Sequence, residues 1–308
     1  MDNLKVDLST CLGKINLKNP VLVASGTFGF GEEYHSLIDL NKLGGIITKT
    51  VTFKPLPGNP PPRLAETSAG LLNSIGLENP GVDRFISEKL PFLQKIESFI
   101  VVSIGGESEE EYCMVAKKLS QAQGIDALEI NVSCPNVKQG GYILGKSAKN
   151  VFGIVNKLKN VTSLPLIVKL TPEVSDIVEI AEAALQAGAE AISLINTLPG
   201  MTIDVNTWRP KLGGITGGLS GPAIKPVAVK TVWEVYQKLK CPIVGMGGIM
   251  NFEDALEFVL AGASAIAVGT ANLIDPQISI DIIEKLERYL VKQKIKKFSF
   301  LIGKVKTA

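Results

Sequence analysis

Eight short apolar runs, rich in β-branched residues, recur along the chain, and amphipathic helical patterns fill most of the intervals between them. The runs are Val21–Ala24, Gly45–Lys49, Phe99–Ile104, Ala127–Asn131, Pro165–Lys169, Ala191–Ile195, Pro242–Gly245 and Ala265–Val268. Strand and helix patterns in alternation indicate a parallel sheet, and eight such units predict an α/β fold closed into a (β/α)8 TIM barrel. An open doubly wound sheet is the runner-up. Leu4–Leu8 and Lys14–Leu17 read as an N-terminal β-hairpin able to cap the barrel floor. The pattern at Ser175–Ala187 puts Ile177, Ile180, Ala181, Ala184 and Leu185 on one stripe, as a helix covering a sheet requires. Several helices run into A-G-A, at Gln186–Ala189 and Leu260–Ala263, where Gly supplies a left-handed stop.

A barrel of roughly 250 residues with insertions would use nearly all of the 308 residues, 45% of them hydrophobic. A single domain over 1–308 is therefore expected, with no repeat or linker. Two connections are long: one contains Thr50–Pro80 and the other Thr197–Gly221. Both follow the carboxyl end of a strand, the face on which barrels build active sites.

Lys and Arg total 32 against 30 Asp and Glu, so nothing basic enough for nucleic acid stands out. The Lys-rich stretch Lys292 to Lys306 reads as a solvated helix face and tail. No run approaches the roughly 18 apolar residues of a membrane span, and no apolar leader is evident. Cys11, Cys113, Cys134 and Cys241 are scattered without a C-x-x-C pair, which suggests a reducing cytoplasm and argues against a metal or iron–sulfur site in the chain. With His35 as the one histidine, in a polar stretch expected to be helical and exposed, histidine triads are nearly excluded. Proton transfer falls to Cys, Lys, Asp, Glu, Tyr or a hydroxyl.

Strand ends carry the chemistry. They read Ala24-Ser25-Gly26, Lys49-Thr50, Ser103, Asn131, Lys169, Asn196-Thr197, Gly247-Gly248 and Gly269-Thr270. Two lysines and two asparagines thus converge on one mouth. The last two strands lead into V-G-M-G-G-I and A-V-G-T-A, whose glycines expose N–H groups before helix starts, an arrangement suited to a phosphate. FMN is one candidate, and a nearby lysine can then stabilise the anionic reduced ring. Cys134 follows the fourth strand in Asn131-Val-Ser-Cys-Pro-Asn136. A thiol with an ordinary pKa of about 8.5 can serve as a base near neutrality if positively assisted. The other three cysteines read as small buried hydrophobes. Gly140 to Ser147 matches the phosphate-loop pattern G-x-x-x-x-G-K-S literally, yet it lies too far after its strand and lacks a companion strand ending in Asp. Lys146 and Ser147 are expected to begin the fourth helix instead.

With these residues assembled, the sequence resembles the class 1 dihydroorotate dehydrogenases over nearly its whole length. The resemblance lies in N-P-V-L-V-A-S-G-T-F-G (19–29), K-T-V-T (49–52), N-S-I-G-L-E-N-P-G-V (73–82), E-I-N-V-S-C-P-N-V (129–137), V-K-L-T-P (168–172), I-N-T (195–197), G-G-L-S-G-P-A-I (217–224) and G-M-G-G-I (245–249). Cysteine at position 134, where the membrane-associated class has serine, places the resemblance in class 1, and P-L-P-G-N-P-P-P-R-L-A-E-T (55–67) resembles the NAD-linked 1B subtype. The stretch after Gly140-Gly141, Tyr142-Ile-Leu-Gly145, is less polar than the family pattern.

The resemblance implies that Cys134 takes a proton from C5 of dihydroorotate while a hydride leaves C6 for N5 of FMN. It implies substrate contacts from Lys49, Asn73, Ser74, Ile75, Gly76, Leu77, Asn131, Asn196 and Thr197. It places FMN against Ala24, Ser25, Lys49, Thr50, Ser103, Asn131, Lys169 and Ile195, with its phosphate on Gly221, Gly247, Gly248, Gly269 and Thr270. It further implies a homodimer flanked by two partner subunits, each with FAD and a 2Fe-2S cluster, that pass electrons to NAD. Two other readings stay open at this level: a flavin enzyme acting on another reduced pyrimidine, as in the flavin domain of dihydropyrimidine dehydrogenase, and a sugar-phosphate aldolase or isomerase without redox chemistry.

Overall fold

A computed structural model describes residues 5–133, 135–136 and 142–306. Eight parallel strands close on one another in chain order: β1 (Val21–Val23), β2 (Gly45–Ile47), β3 (Phe99–Ile104), β4 (Ala127–Asn131), β5 (Leu166–Lys169), β6 (Ala191–Leu194), β7 (Ile243–Met246) and β8 (Ala265–Val268). β8 returns to β1 with Ile266 opposite Val21 and Val268 opposite Val23. The expected barrel is thus realised, with strand ends differing from the sequence reading by a residue or two.

Period-two alternation divides the core into two layers. On β4, Leu128 and Ile130 pack outward with the helices, while Ala127 joins the barrel interior with Ile47, Val101, Ile167 and Val244. The outer layer is supplied by Glu109–Leu119, Ala148–Lys159, Ile177–Gln186, Lys225–Leu239, Phe252–Ala261 and Ile278–Gln293. Their starts are chemically marked: Ser108, Asp176 and Asn251 each accept a backbone N–H of the first turn. Lys146 closes a short 3-10 turn and Ser147 is the N-terminal boundary of the fourth helix, rather than both opening it.

A hairpin does seal the barrel floor, but it is formed by Thr10–Leu12 and Ile15–Leu17 instead of Leu4–Leu8 and Lys14–Leu17. Leu12, Ile15 and Leu17 alternate with exposed residues and enter the interior cluster, each worth about 1.5–3 kcal/mol of burial. The upstream segment follows the chain's end instead: Asp7 N–H donates to the Lys296 carbonyl at 2.9 Å, and Phe298 N–H to that of Asp7 at 2.8 Å. His35 is exposed, in turns rather than the expected helix, because Gly26, Gly29 and Gly31 just before it all hold positive φ. The lysines between Lys292 and Lys306 are exposed as expected, although Phe298 and Leu301 among them are buried. Of the other cysteines, Cys241 is buried and Cys113 half-buried, whereas Cys11 is exposed on the outward face of the floor hairpin and donates to Asn16 Oδ1 at 3.1 Å.

The two long connections meet over the other end. Leu64–Thr67, Gly70–Asn73, Gly217–Ser220 and Leu198–Gly200 form one antiparallel sheet, in which Asn73 faces Gly218 and Leu72 faces Leu219. No helix among the described residues is long and apolar enough to cross a membrane.

Candidate active site

A cavity of about 580 Å³ opens at the carboxyl ends of the strands, roofed by that antiparallel sheet. Strand direction explains its lining: Asn131, Lys169 and Met246 end β4, β5 and β7, and most of the other strands hand the chain on to lining residues within a step or two of their carboxyl ends. Ala24, Ser25, Lys49, Thr50, Asn131, Lys169, Ile195, Asn196 and Thr197 all line it. So do Asn73, Ser74, Ile75, Gly76 and Leu77 from the first long connection, and Gly221, Gly247, Gly248, Gly269 and Thr270. Ser103 does not. It is fully buried one step behind, its hydroxyl 3.0 Å from that of Thr50, so it orients Thr50 from β3 and does not itself face the cavity. Cys134 lies outside the described residues; its neighbours Asn131 and Ser133 line the cavity.

One region is amide-rich. Asn196 Nδ2 donates to Asn131 Oδ1 at 3.3 Å, joining β4 to the end of β6, and Asn196 Oδ1 accepts the Thr197 N–H at 2.8 Å. The Asn131 carbonyl is anchored by the Tyr112 hydroxyl at 2.6 Å. Asn73 Nδ2 donates to the Gly218 carbonyl at 3.1 Å, and Asn59 Nδ2 donates to Ser74 Oγ at 2.9 Å. Several amides and hydroxyls are thereby fixed around one space, suited to a small planar ligand with carbonyl and N–H groups. Lys49 is half-buried beside them, and among the described residues its ammonium has no carboxylate partner.

Another region is made of backbone. Gly221, Gly247 and Gly248 all have positive φ, which exposes their peptide groups to the cavity. Among the described residues, the N–H groups of Gly247, Gly248, Gly269 and Thr270 have no acceptor within the protein. The Thr270 hydroxyl donates to Ser220 Oγ at 2.8 Å, tying this loop to the roof. Lys225, behind Gly248, is held by Asp254 at 2.6 Å and Glu257 at 2.7 Å, so its charge is neutralised from the other side. An anion here is met by N–H groups and hydroxyls. The helix start expected after β8 is only the short Ala271–Ile274, which adds little helix dipole at that end.

The least expected feature is a buried acid. Glu129 on β4 is fully buried, its Oε1 3.8 Å from Lys169 Nζ on β5. Ser25 bridges them: Lys169 donates to Ser25 Oγ at 3.0 Å, and that hydroxyl donates to Glu129 Oε1 at 3.2 Å. Ser193 of β6 donates to Glu129 Oε2 at 3.3 Å. The sequence reading passed over Glu129, Ser193, Asn59 and Ser220. Only Glu129 left a signal, as the sole charge inside an apolar strand.

A closed barrel whose mouth joins an amide-and-lysine region to a cradle of backbone N–H groups without an acceptor among the described residues has the frame of a barrel enzyme, suited to a phosphorylated ligand beside a small polar one. The family profile described as dihydroorotate dehydrogenase matches residues 7–290. The chain is 50% identical over 300 residues to the catalytic subunit of dihydroorotate dehydrogenase B (NAD(+)) of Desulforamulus reducens, covering 97% of this chain and 99% of that protein. It is 51% identical over 303 residues to the protein of the same name from Caldicellulosiruptor bescii, at 98% and 99% coverage, and 51% identical over 300 residues to that of Desulforudis audaxviator, at 97% and 98%. The chain belongs to the dihydroorotate dehydrogenase family, whose members are flavin-dependent oxidoreductases.

Proposed function

We propose that this chain is the FMN-bearing catalytic subunit of an NAD-linked dihydroorotate dehydrogenase, a single barrel domain that oxidises (S)-dihydroorotate to orotate in pyrimidine biosynthesis in the cytoplasm. The observation that carries the reading is the joining of two unlike regions in one cavity: Lys49 and the Asn73, Asn131 and Asn196 amides, and the free N–H groups of Gly247, Gly248, Gly269 and Thr270. FMN fits this division: Gly247, Gly248, Gly269 and Thr270 would hold its phosphate through their N–H groups, and Ala24, Ser25, Thr50 and Ile195 would hold its ring. When bound, the flavin supplies the hydride acceptor.

The chain's own residues do the rest. Asn73 to Leu77, Asn131, Asn196 and Thr197 together hold the carboxylate and the ring amides of the substrate. Lys49, without a competing carboxylate among the described residues, offers its charge to both ligands. Lys169 sits 5% exposed in the cavity wall, where a cation stabilises negative charge that develops on the neighbouring ring. Cys134 removes the C5 proton. This assignment rests on its place in the chain directly after Ser133, which lines the cavity, and on the exposure of His35, the sole histidine. Electrons then leave through a partner chain carrying FAD and a 2Fe-2S cluster, in an assembly of two catalytic and two electron-transfer chains.

The test is to release and weigh the cofactor of the purified chain and to assay Cys134→Ala. The variant should keep FMN and lose roughly 10²- to 10⁴-fold in dihydroorotate oxidation, the usual worth of a positioned general base. A chain without flavin, or a flavinated variant that turns over normally, would overturn the reading.

A further inference from the structure

Buried carboxylates are rare unless something holds them, and Glu129 is held by three groups, Lys169 of β5, Ser193 of β6 and Ser25 just after β1. By register Glu129 lies level with Ile167 and Ala191, two residues below Asn131, which is level with Lys169 and Ser193 and lines the cavity. The arrangement is a chain of contacts, Lys169 to Ser25 to Glu129 to Ser193, with the Lys169 end in the cavity wall. Removing a cation's only buried counter-charge leaves its field uncompensated, and in a site shielded from water that field acts on whatever lies in the cavity.

We propose that Glu129 is a positioning residue for Lys169 and its fixed counter-charge, and that this pair sets how readily the flavin in the cavity accepts electrons. The inference rests on the flavin reading above. Glu129 touches no ligand; it acts through Lys169 in two ways. It keeps the ammonium tethered to Ser25 at the cavity wall, and it cancels one positive charge, so that the protein's contribution here is neutral while the ring is oxidised. Reduction to the anionic flavin then leaves one net negative charge at the site. With the carboxylate removed and the lysine kept, reduction instead meets an uncompensated cation and becomes easier.

The experiment is a spectroscopic redox titration of the FMN-loaded chain at pH 7, with flavin content measured for every variant. Glu129→Gln is isosteric: its carbonyl oxygen can still accept from one of the two serines, while its amide donates to the other, whose hydroxyl can turn to accept. It should shift the flavin reduction equilibrium at least tenfold toward the reduced form, about 30 mV upward for a two-electron couple. Glu129→Asp keeps the charge and should stay within threefold of the parent. Lys169→Met leaves the carboxylate unpaired and should shift the equilibrium tenfold or more the other way. The double variant Glu129→Gln/Lys169→Met removes both charges and should return to within threefold. If Glu129→Gln fails to fold, the Lys169→Met and double-variant pair carries the same comparison. A Glu129→Gln potential within threefold of the parent at full flavin content, or a double variant no different from Lys169→Met, would overturn the proposal. A parent chain that binds no flavin would instead defeat the flavin reading.

Discussion

Asn73 lies opposite Gly218 in an antiparallel pair, and its amide donates back to the Gly218 carbonyl at 3.1 Å. That contact joins the connection after β2 to the connection after β6, so the cavity roof comes from segments 145 residues apart. Gly218 has no room to change: a Cβ there would stand 2.2 Å from Thr197 Oγ1. Gly218→Val should therefore displace Thr197 and Asn73 together. The expected outcome is a substrate KM raised tenfold or more and a stability loss of about 1–3 kcal/mol, the usual cost of overpacking, with the barrel intact. Steady-state kinetics and thermal unfolding check it, and an unchanged KM would show that the roof does not shape the substrate region.

Lys49 and Lys169 end different strands and are differently served. Lys169 is paired with Glu129, while Lys49 has no carboxylate partner among the described residues. Losing Lys49 should fall on the substrate, since a hydrogen bond from a charged group contributes about 1.5–3 kcal/mol. Lys49→Ala is expected to raise the dihydroorotate KM roughly 10- to 100-fold. Lys169→Ala should chiefly lower flavin affinity or the rate of flavin reduction in stopped flow. Equal effects of the two substitutions on both readouts would contradict this division of labour.

The barrel was legible in the sequence because each strand is a β-branched run and each strand end carries an unlike residue. Ala127-Leu-Glu-Ile-Asn131 shows how far that goes: the run predicts a strand and Asn131 marks its end. The partners of Glu129 could not be read, because Ser25, Lys169 and Ser193 reach it from other elements, distant in the chain. Ser103 was misplaced by the same limit, since a strand-end position does not say whether a hydroxyl faces the cavity or its neighbour Thr50. The floor hairpin was misplaced by register: Leu8 and Leu12 are both apolar, and only closure around Gly13, at φ +62°, decides which strand pairs with Ile15–Leu17.

Cys241, which precedes β7, gives a pH signature. Burial pushes its thiol up to about 11, above the ordinary range. Below the unfolded thiol's pKa both states hold the proton, and the group costs nothing. As pH rises past that value the unfolded chain loses its proton first, so native stability falls until the folded thiol also ionises near 11. The loss should be roughly 2–3 kcal/mol at about 1.4 kcal/mol per unit. Subtracting the profile of Cys241→Ala from that of the parent isolates it from the lysines that titrate nearby. Parallel profiles between pH 9 and 11 would refute the assignment. In alkylation at pH 8, exposed Cys11 should be modified well before Cys241.

The final prediction concerns where electrons go. The curated relatives are named as NAD(+)-linked catalytic subunits, a wording that presupposes another subunit. The sequence holds no G-x-G-x-x-G fingerprint for a dinucleotide. Its nearest approach to a dinucleotide fingerprint, Gly26-Thr-Phe-Gly29-Phe-Gly31, has the wrong spacing and lies in turns after β1 instead of opening a helix. Among the described residues no three His, Cys, Asp or Glu side chains are gathered in a way that could hold a metal ion. The purified chain should therefore reduce its flavin with dihydroorotate at full rate in a single turnover, yet reduce NAD negligibly in the steady state. Adding a subunit that carries FAD and a 2Fe-2S cluster should raise NAD reduction by at least 100-fold without changing the single-turnover rate. Two results would each rule this out: fast NAD reduction by the lone chain, or efficient turnover with fumarate and no partner.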